Sequence, residues 1–117
     1  VNYLEYIYDA VNAATAVPVY TYAAPQGVAE DFIVIQFNGL GVTETKDGYK
    51  AERAAATLFL HFLNADTAQS TLQTVRDYIA TQHSTFKYGY MDGLQMFYNE
   101  DDETVILAAD FTFLINY

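Results

Sequence analysis

Two stretches constrain this chain more than any other: Phe32-Ile-Val-Ile-Gln-Phe37 and Leu58-Phe-Leu-His-Phe-Leu63. Both read as strands, yet neither alternates cleanly between apolar and polar residues. Such a strand is covered on both faces, either within its own domain or by a helix on one side and a neighbouring subunit on the other. Two adjoining strands of this kind are more than a small two-layer domain usually needs. The pattern therefore points to self-association. The strands are expected to run from Phe32 to Asn38 and back from Ala54 to Leu63. Between them Gly39–Arg53 is polar and glycine-punctuated, with Asp47-Gly48 as a tight turn that carries a long hairpin away from the core.

A length of 117 residues suits one domain, and 1–117 is read as a single α+β unit with no internal repeat, low-complexity segment or linker. Apolar residues at 52% argue against disorder. Eleven Tyr and eight Phe suit sheet packing, and aromatic rings also favour subunit contacts. The formal net charge of −10 repels phosphate backbones and anionic lipid, so neither a nucleic-acid grip nor membrane docking is expected. The absence of cysteine removes disulfides and thiolate chemistry. Val1–Asp9 lacks the basic start and apolar run of a signal peptide, and no apolar run approaches the ~20 residues of a membrane span.

Around the hairpin, Leu4, Ile7, Tyr8, Val11 and Ala14 recur at helical spacing over residues 3–15, and Ala16-Val-Pro18 ends that helix. Val19–Tyr22 is extended, followed by a turn at Ala24-Pro-Gln-Gly27. A main helix starts at Asn64-Ala-Asp66, with Asp66 as N-cap and Gln69 completing a capping box. Its buried stripe is Ala68, Leu72, Val75 and Ile79. Phe86–Met91 is short and extended, Asp92-Gly93 is a turn, and Leu94–Tyr98 with Thr104–Tyr117 forms a closing hairpin. The expected architecture is an antiparallel or mixed sheet with a long hairpin, packed against one main helix and an amino-terminal helix.

No chemistry stands out. The contiguous acids Glu100, Asp101, Asp102 and Glu103 lack the alternating ligands and bend glycine of a calcium loop, and read as a solvated hairpin tip. His61 and His83 are isolated; His61 is expected as a hydrogen-bonded core or interface side chain. Gly39-Leu-Gly41 lacks the third glycine and helix of a phosphate loop, and Ser70 and Ser84 lack a nucleophile-elbow context. With no nucleophile–base–orienter set, an enzyme is not expected, and neither a cofactor nor a metal.

Several stretches together carry a family resemblance. They are the amino-terminal helix, Val17-Pro-Val-Tyr20, the Ala24–Gly27 turn before Phe32–Phe37, the polar hairpin, His61-Phe-Leu63, the helix with Ala68-Gln-Ser-Thr-Leu72, and Ala109-Asp-Phe-Thr-Phe113. In this order they resemble the tail-completion, or tail-terminator, proteins of long-tailed bacteriophages. The resemblance implies a structural virion protein of the tail or neck, synthesised in the bacterial host cytoplasm. Its partners would be itself in a ring, commonly a hexamer, the tail tube protein and the head–tail connector, with DNA only passing through the channel. Candidate subunit-contact or channel residues are Glu44, Asp47, Gly48 and Glu52 in the hairpin and Glu100, Asp101, Asp102 and Glu103 at the tip. Alternatives are a head–tail stopper, a tube subunit, or a small-ligand-binding α+β domain with an aromatic pocket. Replacing Asp47-Gly48 by Val-Val is expected to leave the fold largely intact and impair assembly. Normal tail joining by that variant would count against the tail assignment.

Overall fold

A computed structural model describes residues 3–24, 31–44, 50–81, 86–100 and 103–115. The elements run α1 (Tyr3–Ala14), β1 (Val19–Thr21), β2 (Phe32–Glu44), β3 (Lys50–Phe62), α2 (Ala65–Thr81), β4 (Phe86–Asn99) and β5 (Thr104–Ile115). The five strands form one sheet in the order β1-β2-β3-β5-β4. Only β1 and β2 are parallel; every other pair is antiparallel. This is the α+β fold expected, a mixed sheet with a long hairpin under a main helix and an amino-terminal helix. Strands of up to 14 residues, at roughly 3.3 Å per residue, account for the long axis of 55 Å.

Both helices pack on one face of the sheet. In α2, Ala68, Leu72, Val75 and Ile79 are all buried, as the periodicity requires. In α1, Ile7, Ala10 and Val11 are buried, with Leu4, Tyr8 and Ala14 partly so. Beneath them lie Ile33 and Ile35 of β2, the alternate residues Ala54 to Phe62 of β3, and Val105 to Phe113 of β5. Phe111 and Phe113 of β5 are buried on this side.

Three local expectations change. The hairpin strands are longer than the apolar pattern shows, because β2 continues to Glu44 and β3 begins at Lys50. Backbone pairing needs no buried side chains. A bulge at Asn38, followed by Gly39 at φ +154°, shifts the register so that pairing resumes at Gly39 with Ala55. The N-cap of α2 is Asn64 rather than Asp66. The Asn64 side-chain oxygen accepts from the Asp66 and Thr67 amides at 2.8 and 3.2 Å, which are the second and third helical positions.

Asp92-Gly93 does not reverse the chain. It lies within the continuous strand β4, where the register shifts between Met91 and Gly93 and the Thr112 hydroxyl donates to the Asp92 carboxylate. β1 pairs parallel with β2. The turn placed at Ala24–Gly27 lies, from Pro25 onward, outside the described residues, as do Asp47-Gly48 and His83.

Gly89 of β4 is where α2 meets the far side of the sheet. A Cβ there would overlap Ile79 Cγ2 and come 2.9 Å from Phe113 Cδ1. Gly89→Ala is therefore expected to destabilise the fold by about 1–3 kcal/mol through overpacking, read as a lower urea midpoint with unchanged slope.

Candidate interaction edges of the sheet

The sheet's ladders set up rows of side chains that run across its full width. On the helix face one row is Val19, Ile33, Leu60, Leu107 and Met96; the next is Thr21, Ile35, Leu58, Ala109 and Leu94. The interior of each row is buried, whereas the β4 end is open. Leu94 is 46% exposed and Met96 59%, with Phe97 at 51% and Tyr98 at 61%. On the helix face, where Leu94, Met96 and Tyr98 lie, the cause is the path of α2. It starts two residues beyond β3 and reaches β4 with Ile79 over Gly89, so it leaves the Leu94–Tyr98 end uncovered.

The surplus apolar surface is thus not where the sequence pattern placed it. In β2 and β3 the neighbouring strands consume most of it: Val34, on the helix-free face, is only 7% exposed, whereas Leu40 and Leu63 stay open at 42% and 60%. In β4 it is laid bare on an edge strand. Among the described residues no strand pairs with the outer edge of β4 or β1. Sheet edges are ordinarily protected by charge. Gly93–Asn99 carries none, in a chain with fifteen acidic residues. Each such Leu, Met or Phe side chain would be stabilised by up to ~1.5–3 kcal/mol on full burial.

At the opposite edge, α1 and β1 flank an open groove of about 460 Å³ lined by Leu4, Glu5, Tyr8, Val19 and Thr21. Beyond it the chain turns sharply. Tyr22 has φ +68° and is 61% exposed; its amide donates to the Ile35 carbonyl, and the Ala23 amide donates back to the Thr21 carbonyl at 2.8 Å. An aromatic residue in this left-handed region is a strained one.

The acidic candidates fall into two groups at opposite ends of the strands. Glu44 and Glu52 lie near the tip of the β2–β3 hairpin, which also carries Lys50 and Arg53, with Lys87 at the start of β4 beside it. Glu100 and Glu103 are exposed in the β4–β5 turn at the other end, near Asp31, whose carboxylate accepts from the Leu63 amide at 3.0 Å. Asp47, Gly48, Asp101 and Asp102 lie outside the described residues. Among the described residues no group of three His, Asp or Glu side chains gathers to hold a metal, and no helix is long and apolar enough to cross a membrane.

The helix-free face has a polar row that sequence reading missed. Gln36 Nε2 donates to Asn38 Oδ1 at 3.2 Å, Asn38 Nδ2 to Thr57 Oγ1 at 2.7 Å, and the Thr57 hydroxyl to Asp110 Oδ1 at 2.6 Å. Residues so far apart in sequence give no local signal. Beside this row, Phe32 stacks on His61 with ring centroids 4.6 Å apart. Burial lowers the His61 pKa from its ordinary 6.5.

No protein-family model and no curated protein sequence matches the chain. Among solved structures, 26 chains match its fold. One, from a structure described as the virion of a native gene transfer agent (GTA) particle, aligns over 97% of this chain and 93% of its own, with a TM-score of 0.67 and 12% identity. At that identity the likeness is one of fold.

The lowered His61 pKa makes stability depend on pH in a defined window. Between the lowered folded value and the unfolded 6.5, the unfolded chain holds a proton that the folded one lacks. The contribution is therefore full above pH 6.5, is lost as pH falls towards the folded value, and does not change further below it. His61→Phe is expected to flatten that part of the stability–pH curve measured by urea unfolding, with the wild-type slope steeper just below pH 6.5.

Proposed function

We propose that this chain is a structural virion protein of a long-tailed phage or phage-like particle, a tail terminator whose ring caps the tail tube and joins it to the head connector. The observation that carries this reading is the fold shared with a chain of the gene transfer agent virion across nearly the whole of both chains. The order of elements is also the one that underlies the tail-terminator resemblance. An assembly role agrees with the uncharged, apolar outer edge of β4, since obligate contacts are more apolar than ordinary surface.

In this reading the ring is a hexamer built in the host cytoplasm, and no catalytic step, cofactor or metal is assigned to it. A net charge of −10 per copy lets DNA traverse the channel without being held. The hairpin with Glu44, Asp47, Gly48 and Glu52 and the turn with Glu100, Asp101, Asp102 and Glu103 contact different partners, because positions 44 and 52 lie at one end of the sheet and 100 and 103 at the other. One end meets the tube protein and the other the connector.

The test is placement in the particle. Antibody raised against this chain and detected by gold labelling in electron micrographs is expected to mark a single position between head and tail. Particles lacking the protein should show tails of uncontrolled length that are not attached to heads. Label along the whole tail would make it a tube subunit, and particles without label would end the virion assignment.

A further inference from the structure

Resting on that ring reading, we infer that copies of this chain join edge to edge: the outer edge of β4 in one copy pairs antiparallel with the outer edge of β1 in the next. Leu94 and Met96 then enter the neighbour's groove between α1 and β1.

Three observations converge on this contact. The knobs and the groove lie on the same face of the sheet, since Met96 ends the row that begins at Val19 and Leu94 ends the row that begins at Thr21. The groove is lined by Val19 and Thr21 themselves, with Leu4, Glu5 and Tyr8 of α1 as its other wall. Both strand edges are unpaired among the described residues, and β4 runs antiparallel to β1 within a copy. A neighbour in the same orientation therefore presents the antiparallel geometry required.

Register and symmetry agree. Setting Met96 beside Val19 and Leu94 beside Thr21 of the next copy needs no shift along the strands, so repeated joining has no rise. A head-to-tail contact closes into a ring when its rotation divides a full turn, and the absence of a rise is compatible with that closure. Closure also removes both exposed edges. The second copy is favoured over an unrelated strand because the complementary groove lies at the same level of the same sheet. All the β4–β5 turns then fall on one rim, which is acidic, and all the hairpins, with Lys50, Arg53 and Lys87 nearby, on the other.

The absence of native cysteine permits a direct test. Within one copy, positions 21 and 94 are separated by four inter-strand spacings of about 4.8 Å, roughly 19 Å in all. That is far beyond the ~7 Å that a disulfide can bridge. Full-length Thr21→Cys and Leu94→Cys chains, mixed and mildly oxidised, are expected to give a covalent dimer at several times the yield of either variant alone. The double-cysteine chain should give a ladder of multimers that stops at one size. Adding Met96→Glu should reduce the cross-link at least tenfold while leaving the circular dichroism spectrum and Tm unchanged.

The contact is overturned if Leu94→Cys alone cross-links as well as the mixture, which would mean β4 pairs with β4. It is equally overturned if the mixture yields no 21–94 bond, whether the chain is then monomeric or multimeric by light scattering. Gold-labelled particles without the 21–94 bond would remove this contact and leave the virion role standing. The bond without labelled particles would do the reverse.

Discussion

Ile79 resting on Gly89 decides how much of the sheet the main helix can cover. Because position 89 has no side chain, α2 sinks onto β4 there and Phe113 closes the gap from β5. Having started beside the end of β3, α2 must cross the sheet to make this contact, and it leaves the far end of β4 bare. The exposure of Leu94, Met96 and Tyr98 on the helix face is therefore a consequence of core packing elsewhere. An apolar strand end inside a sheet would be buried by its neighbours, as Val34 is. At an edge no further strand among the described residues does so.

The two faces of the sheet solve different problems. The helix face buries alternate residues of β2, β3 and β5 in one continuous core. The helix-free face is divided between the apolar row at Phe32 and His61 and the hydrogen-bonded row from Gln36 through Asn38 and Thr57 to Asp110. Thr57 is almost fully buried, so its hydroxyl needs both partners. Asn38 reaches it from the β2 bulge, so the irregularity that reorients the hairpin also supplies the donor.

Charge is arranged along the strands rather than across them. Four of the five basic residues, Lys46, Lys50, Arg53 and Lys87, belong to the hairpin or to the start of β4, and the β4–β5 turn is acidic throughout. A ring made by joining sheet edges would keep this polarity, because no copy is inverted. Two chemically different rims suit a component that faces a different partner on each side, which is the demand made by a tail terminator.

Much of the fold was legible in the chain itself. The stripes of α1 and α2 follow from local periodicity, since a helix that buries one face must repeat its apolar residues at its own spacing, and the outgoing and returning strands follow from their near-continuous apolar runs. Short-range chemistry was less decisive. Asn64 and Asp66 are both good caps, and only the hydrogen bonds choose between them; Asp92-Gly93 serves a bulge as well as a turn. What tertiary structure alone decided is strand order, and with it which apolar surface stays open. The sequence says that β2, β3 and β4 are all greasy, but whether a strand lies inside the sheet or at its edge depends on pairings between residues distant in the chain. Those pairings cover residues 32–37 and 58–62 more fully than the end of β4, and they put the acidic turn and the hairpin at opposite ends of the molecule.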